Sequence, residues 1–398
     1  MEVPYANLKR IYDNSKKELD KAVKDCIDNS WFIKGPKVLQ FEKGLAAYRK
    51  ADAVGVSSGT SALLLAYEAL KLKPGDKIVI PSFTFISTPE MATKLGLEII
   101  WVDCNKENYT INTDNLAGIL TAIPDIKAVV GVDIFGHTCD WDKVKKIAGD
   151  IPVIQDAAQS FGGSYKKQIN GSYNDLTCFS FYPAKNMFCF GDGGAVVGKQ
   201  DYIEHIVMNR DHGRTDKYVH EFLGWNERLD SLQANVLSHM ITKIDQHNAS
   251  RRYVAAIYDQ EFENVTALRL PQVQSGSHHS YQSYPCIFQP NQIFNGDIEY
   301  LPEKNQVGEG HIVYTSGVDG IISPGIPIGK ITIIDSKKFV KFFADFDQIK
   351  LACKLGVDAI EIHTGNYANL FEHGNHIEEL NQIIKNKICL SGFLLCLH

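Results

Sequence analysis

Three short segments carry residue types that could do chemistry together. The first is Ser57-Ser58-Gly59-Thr60-Ser61-Ala62, where an apolar run gives way to the helical pattern LLLAYEALK. Free backbone N–H groups and the helix dipole suit such a turn to a phosphate. The same residues would also serve as an ordinary Ser/Thr helix cap. The second is Val153-Ile154-Gln155-Asp156-Ala157-Ala158-Gln159, which puts a carboxylate just past a buried strand. An isolated buried charge is costly and needs a partner. A protonated heterocycle nitrogen would be one, and a role as helix cap is the alternative. The third is Phe179-Ser180-Phe181-Tyr182-Pro183-Ala184-Lys185-Asn186, followed by Gly191-Asp192-Gly193-Gly194. Partial burial of Lys185 would lower its pKa, and the neutral amine is the nucleophile for a carbonyl. A snorkelling surface lysine is the plainer alternative. The glycines let backbone approach closely.

The elements that must hold these segments alternate. Lys17–Asp28 and Val38–Ala47 have helical spacing. Short apolar runs follow at Ala53–Val56, Lys77–Ile80, Glu98–Val102, Ala128–Ile134, Val153–Gln155, Cys178–Phe181 and Ala195–Val197, each trailed by a loop or helix. Several lack polar alternation, as in strands covered on both faces. Strands alternating with helices imply an α/β layered domain with a largely parallel sheet, whose ligands sit beyond the strands' carboxyl ends. Leu232–Ile244 and Ala249–Phe262 read as helices and Tyr281–Phe288 as a strand. From Asp347 to Lys387 the pattern is helix, strand (Ala359–His363) and helix.

Size and composition narrow the function classes. The 398 residues exceed one ordinary compact domain. With 44% hydrophobic and 22% charged residues the chain is a globular protein, not a disordered one. A net charge of −6 leaves no basic footprint for nucleic acid. No run is apolar enough to span a bilayer and the N-terminus does not read as a signal peptide. Nine scattered cysteines without a C-x-x-C argue against a disulfide framework or structural zinc and for a reducing cytoplasm. No metal site is expected. No G-x-G-x-x-G follows a strand, which speaks against a nicotinamide dehydrogenase.

Taken in order, a phosphate cradle, a carboxylate and a lysine form one constellation. The motifs around them are NSWFIKGPKVLQFEKGLAAY (29–48), SSGTSALLLAYEALKLKPGDKIVIPSFTFIST (57–88), VDIFGHTCDWDKV (132–144), IQDAAQSFGGSYKKQINGSYNDLTCFSFYPAKN (154–186), GDGGAVV (191–197) and GWNERLDSLQANVL (224–237). On these motifs, residues 1 to about 289 resemble the sugar aminotransferases of the DegT/DnrJ/EryC1/StrS family, which bind pyridoxal 5′-phosphate. The resemblance implies a fold-type-I large domain, a three-layer α/β/α arrangement on a mainly parallel sheet. It implies that Lys185 holds the cofactor as an internal aldimine and moves the proton during transamination. It also implies that Asp156 pairs with the pyridinium nitrogen, that Gln159 lies near the ring oxygen, and that Phe85 stacks on the ring. A core aromatic is the alternative for Phe85. The phosphate falls to Thr60 and Ser61, in the turn begun by Gly59, and to Ser180. Asn226 reaches it from a partner subunit, so a homodimer with shared sites is implied. Its alternative is a helix-flanking Asn. Some family members carry histidine in place of the lysine and catalyse dehydration; this chain keeps lysine. The implied substrates are a keto sugar on a nucleotide diphosphate and L-glutamate as amino donor. NSWFIKGP resembles members acting on 3-keto-6-deoxyhexoses.

By the same resemblance, residues 1–245 form the cofactor-binding large domain and 246–290 begin the small domain. HHSYQSYPCIFQP (278–290) looks like the first strand of that small domain, and nothing like its remainder follows. Residues 298–334 instead resemble the β-rich domain of rod-shape-determining protein MreC, giving a segment 291–345. Residues 346–371, with IEIHTGNYAN, resemble pyridoxine 5′-phosphate synthase, giving a fragment to about 387 within a segment 346–398 whose last stretch, ICLSGFLLCLH (388–398), matches nothing. There Glu361 matches a family carboxylate, although ordinary strand-end polar residues explain Glu361 and His363 as well. The expected product is an aminotransferase with its C-terminal domain replaced. The alternatives are a non-catalytic cofactor-binding or regulatory protein and a chimeric reading frame without function.

Overall fold

A computed structural model of the chain describes residues 8–169, 171, 173–265 and 268–288, with the strand segments 312–314, 327–330, 359–362 and 394–397. Two compact units are present. One is Leu8–Ala249 together with Gln272–Gln282; the other comprises Ser250–Pro271 and the described residues from Ser283 onward.

The first unit is built on a seven-stranded sheet. In chain order its strands are β1 (Asp52–Val56), β2 (Lys77–Pro81), β3 (Glu98–Val102), β4 (Ile126–Val132), β5 (Val153–Asp156), β8 (Leu176–Ser180) and β9 (Gly194–Gly198). Two short strands, β6 (Ser164–Tyr165) and β7 (Gln168–Ile169), form a hairpin between β5 and β8. The spatial order is β1-β9-β8-β5-β4-β2-β3, and all neighbours run parallel except those of β9. Each of the seven apolar runs seen in the sequence is one of these strands. Both β5 and β9 are buried at every residue, which requires cover on both faces.

Helices supply that cover. They are α1 (Leu8–Asn14), α2 (Lys16–Asp28), α3 (Pro36–Arg49), α4 (Gly59–Ala69), α5 (Ser87–Lys94), α6 (Thr113–Ala122), α7 (Trp141–Ala148), α8 (Gln200–Asn209), α9 (Ser231–Met240) and the first turns of α10 (Ile244–Phe262). Helix α4 packs on β8 and β9, and Ala62–Tyr67 are all buried, so its apolar sequence has no amphipathic stripe. One apolar cluster joins Phe41 of α3 to Phe179, Phe181 and Leu237. A second joins Leu116 and Trp141 to Val79, Val129 and Val153.

Register brings the chemistry to one end of the sheet. Val132 pairs with Asp156, and Asp156 with Cys178. Gly194 pairs with both Ser180 and Val56. The segments after β1, β2, β4, β5 and β8 therefore leave the sheet side by side, at the carboxyl ends of its parallel strands. Gly194 is required there: a Cβ on it would lie 2.3 Å from the carbonyl oxygen of Ser58, which caps α4.

Several boundaries differ from the sequence pattern: the helix expected over 232–244 ends at Met240, the next begins at Ile244 rather than Ala249, and two further differences lie near the site. The run at 128–134 leaves β4 after Val132, and Ile134–Gly136 form a 3-10 turn with Phe135 at φ +59°. The strand expected from Tyr281 begins at Tyr284 as β14 (Tyr284–Phe288). Ahead of it, β13 (Ser277–His278) pairs with β6, and Ser280 is hydrogen-bonded to Gly136. Those bonds hold residues 280–282 away from an extended ladder. A further hairpin, β10 (Arg214–Asp216) with β11 (Val219–His220), precedes α9.

In the second unit, β12 (Leu268–Arg269) pairs antiparallel with β14, and the Tyr284 hydroxyl bonds Asp259 at 2.5 Å. Of the later strands, β15 (Ile312–Tyr314) pairs antiparallel with β16 (Pro327–Lys330). Strand β18 (Leu394–Leu397) pairs with β14 and, in parallel, with β17 (Ala359–Ile362). Apart from the backbone of β15, β16 and β17, the segments resembling MreC and pyridoxine 5′-phosphate synthase lie outside the described residues, as does His363. Among the described residues no helix is long and apolar enough to cross a membrane.

Candidate active site

The turn after β1 forms a helix cap with further hydroxyls gathered beside it. Ser58 caps α4, its hydroxyl accepting the Ser61 N–H at 3.0 Å. Gly59 starts the helix against Ser180: a Cβ on Gly59 would be 2.7 Å from the Ser180 Cβ. Glycine thus lets two of the expected phosphate ligands converge. Ser180 closes β8 and its hydroxyl accepts the Tyr182 N–H at 3.4 Å. The Thr60 hydroxyl lies 2.8 Å from that of Ser87. Ser57 and Ser61 hydroxyls lie 2.7 Å apart, and both donate to one carboxylate oxygen of Glu227. Two hydroxyls of the turn are thus bonded to a carboxyl group of the chain itself at the start of α4. Sequence reasoning missed Glu227; its only signal is an acid next to Asn226 in GWNERL.

Asp156 ends β5 and is 5% exposed. Its Oδ2 accepts the Thr88 hydroxyl at 2.8 Å and its Oδ1 the Ala158 N–H at 3.1 Å. Burial raises its pKa, and the two donors and the positive charge of Lys185 pull it back down without cancelling the rise. Strand β8 pairs with β5, so the segment carrying Lys185 leaves the sheet beside Asp156. A cationic N–H would complete this carboxylate, so a protonated ring nitrogen fits it. Thr88 was not legible as a partner, because it lies in helix α5, 68 residues away in the chain.

Lys185 lies in an irregular turn after β8, half-buried, with its N–H on the Tyr182 carbonyl at 2.8 Å. Gln159 is half-buried and its Oε1 accepts the Phe135 N–H at 2.6 Å, which leaves its amide NH2 end for a ring oxygen. Phe85 is 52% exposed, which sets aside the core alternative and leaves its face available. Asn226 is exposed and bridges to Asp211. That segment is pinned electrostatically. Burial alone would raise Asp211, but ion pairs with Lys34, Arg228 and Arg214 outweigh it and bring it to about 2.

Behind the site lies a carboxylate the sequence did not single out. Asp133, next in chain after β4, is fully buried and accepts from the Cys139 N–H (2.9 Å), the Gln155 amide (2.5 Å) and the Ser160 hydroxyl (2.8 Å). Burial pushes it up to about 7 against those three donors. An unfolded Asp titrates near 4, so the folded protein binds this proton more tightly. The resulting stability is complete below about pH 4 and is lost as pH rises through about 7, at about 1.4 kcal/mol per unit. Asp133→Asn removes the titration. In urea melts, the wild type is expected to lose ground to the variant between pH 5 and pH 8. A constant difference between the two would refute the assignment.

Comparison with known proteins follows the same outline. A family model described as the DegT/DnrJ/EryC1/StrS aminotransferase family matches residues 13–314. A dTDP-3-amino-3,4,6-trideoxy-alpha-D-glucose transaminase of Streptomyces venezuelae is 35% identical over 273 residues, 68% of this chain and 72% of that protein. Among solved structures, S. venezuelae DesV in complex with a ketimine intermediate superposes with a TM-score of 0.70 at 32% identity, covering 72% of this chain and 78% of that one. NtdA from Bacillus subtilis with bound cofactor PMP gives a TM-score of 0.67 at 25% identity, covering 72% and 67%.

Proposed function

The chain belongs to the DegT/DnrJ/EryC1/StrS aminotransferase family, and from that premise we propose that it uses pyridoxal 5′-phosphate to transfer an amino group to a nucleotide-linked keto sugar. The observation that carries this is the convergence of Lys185, Asp156 and the α4 turn at one end of one sheet. When bound, the cofactor supplies an electron sink and a carrier for the amine. The α4 N–H groups, Thr60, Ser61 and Ser180 would hold its phosphate, with Glu227 yielding its place. Asp156 would keep the ring nitrogen protonated. Gln159 would donate to the ring oxygen and Phe85 would cover one ring face. Lys185 Nζ would take a proton from the carbon bearing the amine and return it on the other side of the exchange.

L-glutamate is the proposed donor and a keto-6-deoxyhexose the proposed acceptor sugar. We place the two half-reactions in a homodimer. An exposed apolar set supports this. Phe32 and Ile33 lie beside Asp230 and Ser231, and Leu223, 99% exposed, and Trp225 come just before Asn226 in sequence. A partner would cover these residues and receive Asn226. The segments 291–345 and 346–398 are proposed to be foreign pieces joined to the aminotransferase, although the family match runs on to 314. Independent sequencing of the gene across codons 285–350 tests that join.

Spectroscopy tests the activity. Protein loaded with pyridoxal 5′-phosphate should lose its visible cofactor absorbance when L-glutamate is added and regain it with a nucleotide-linked keto sugar. Cofactor binding without either change would support the non-catalytic alternative instead.

A further inference from the structure

Lys185 sits in a turn with no regular secondary structure, yet it must present its amine accurately. A long-range clamp supplies what the turn lacks. Gln282 is 2% exposed, and its side chain reaches both neighbours of Lys185. Its Nε2 donates to the Ala184 carbonyl at 2.8 Å, and its Oε1 accepts the Asn186 N–H at 2.9 Å. One amide thus brackets the lysine in the manner of a strand partner, donating on one side and accepting on the other.

The clamp has a second arm. Asn186, also buried, donates from Nδ2 to the Ser280 carbonyl and to Asn248 Oδ1, each at 2.9 Å. Asn248 donates in turn to the Phe161 carbonyl at 2.8 Å. The segment carrying Ser280 and Gln282 is itself fixed. The Ser280 N–H bonds the Gly136 carbonyl at 3.0 Å and its hydroxyl bonds the Gln159 carbonyl at 3.2 Å. Gly136, at φ +95°, makes room for it: a Cβ there would lie 2.5 Å from Ser280 Oγ and 2.9 Å from the Gln282 N–H nitrogen. Tyr281, between them, is held in the left-handed region at φ +47°, a cost that persists only where the surroundings over-determine it. Residues 272–282 accordingly belong to the same compact unit as the sheet.

We propose that Gln282 is a positioning residue for Lys185, a latch that fixes the lysine turn through the paired hydrogen bonds to Ala184 and Asn186. The proposal rests on Lys185 being the cofactor lysine. Both functions of the amide are needed. A carboxylate at 282 would accept from Asn186 but repel the Ala184 carbonyl, and a thioether of similar length would do neither well. A displacement of the amine by about 1 Å is worth about 10²-fold in rate.

The test uses the full chain, loaded with pyridoxal 5′-phosphate, as wild type, Gln282→Met, Gln282→Glu and Trp141→Phe. Trp141 is buried in the other apolar cluster and serves as a destabilised control. Both Gln282 variants should show kcat reduced about 10²-fold with KM for the keto sugar within about twofold of wild type. They should also shift the pH at which the lysine-bound cofactor absorbance titrates and slow its appearance on adding cofactor to the apoprotein. Trp141→Phe should lower the melting temperature without these changes. A Gln282 variant that matches Trp141→Phe in rate and spectrum would overturn the latch while leaving the aminotransferase reading intact. A wild type that develops no lysine-bound absorbance would overturn that reading, and the latch's role with it.

Discussion

Replacing Lys185 by alanine should lower turnover by roughly 10⁴-fold or more and abolish the visible absorbance of the bound cofactor. The size follows from two duties resting on one amine: covalent attachment and proton transfer. No other amine is in the described site to take over. The fold should survive, because Lys185 is half-buried and its turn is held through backbone groups by the Tyr182 carbonyl and Gln282, and by Asn186. The check is a melting curve beside the rate and the spectrum. A variant that folds, binds cofactor with the same spectrum and keeps full activity would end the aminotransferase reading.

Replacing Asp156 by alanine is the second large effect. Loss of one preorganised charge at a reacting centre costs about 10²–10³ in kcat, and cofactor affinity should fall with it. The Ala158 N–H would also lose its acceptor, and the Thr88 hydroxyl would keep only that of Thr84, 3.0 Å away, so some stability should go too. Asp156→Asn separates the two effects. Its carbonyl oxygen keeps one acceptor and restores much of the stability, but it carries no charge for a ring nitrogen. Its rate should therefore stay close to that of the alanine variant. Recovery of near wild-type turnover in Asp156→Asn would show that the charge is dispensable.

The parts of the site differ in how visible they were from the residues alone. Asp156 and Lys185 stood out because one directly follows an apolar run and the other comes within a few residues of one, and the carboxyl ends of buried parallel strands are where ligands bind. The turn 57–62 stood out because hydroxyls and glycine before a helical pattern have few uses. Of its two readings, the cap is seen at Ser58, while the hydroxyls of Ser57 and Ser61 gather on Glu227. Glu227, Thr88 and Asp133 gave no such signal. Each acts through a hydrogen bond to a residue of an element distant in the chain, and such bonds leave no period in the sequence. The left-handed Phe135 was equally invisible, since nothing in the run 128–134 marks where the strand must turn to meet Gln159.

The sequence by itself determined the alternation of strands and helices, the seven strands, and the two ionisable residues at their ends. Burial on both faces demands unbroken apolar runs, and those runs are local. Only the tertiary structure decided which strands are neighbours, that β9 runs against the others, and that Gly194 must lack a side chain so that β1, β8 and α4 can meet. It also decided that a glutamine 96 residues after Asn186 closes on the lysine turn. The chain has to return to that turn for its backbone groups to be satisfied, and the partner it finds is set by packing rather than by spacing.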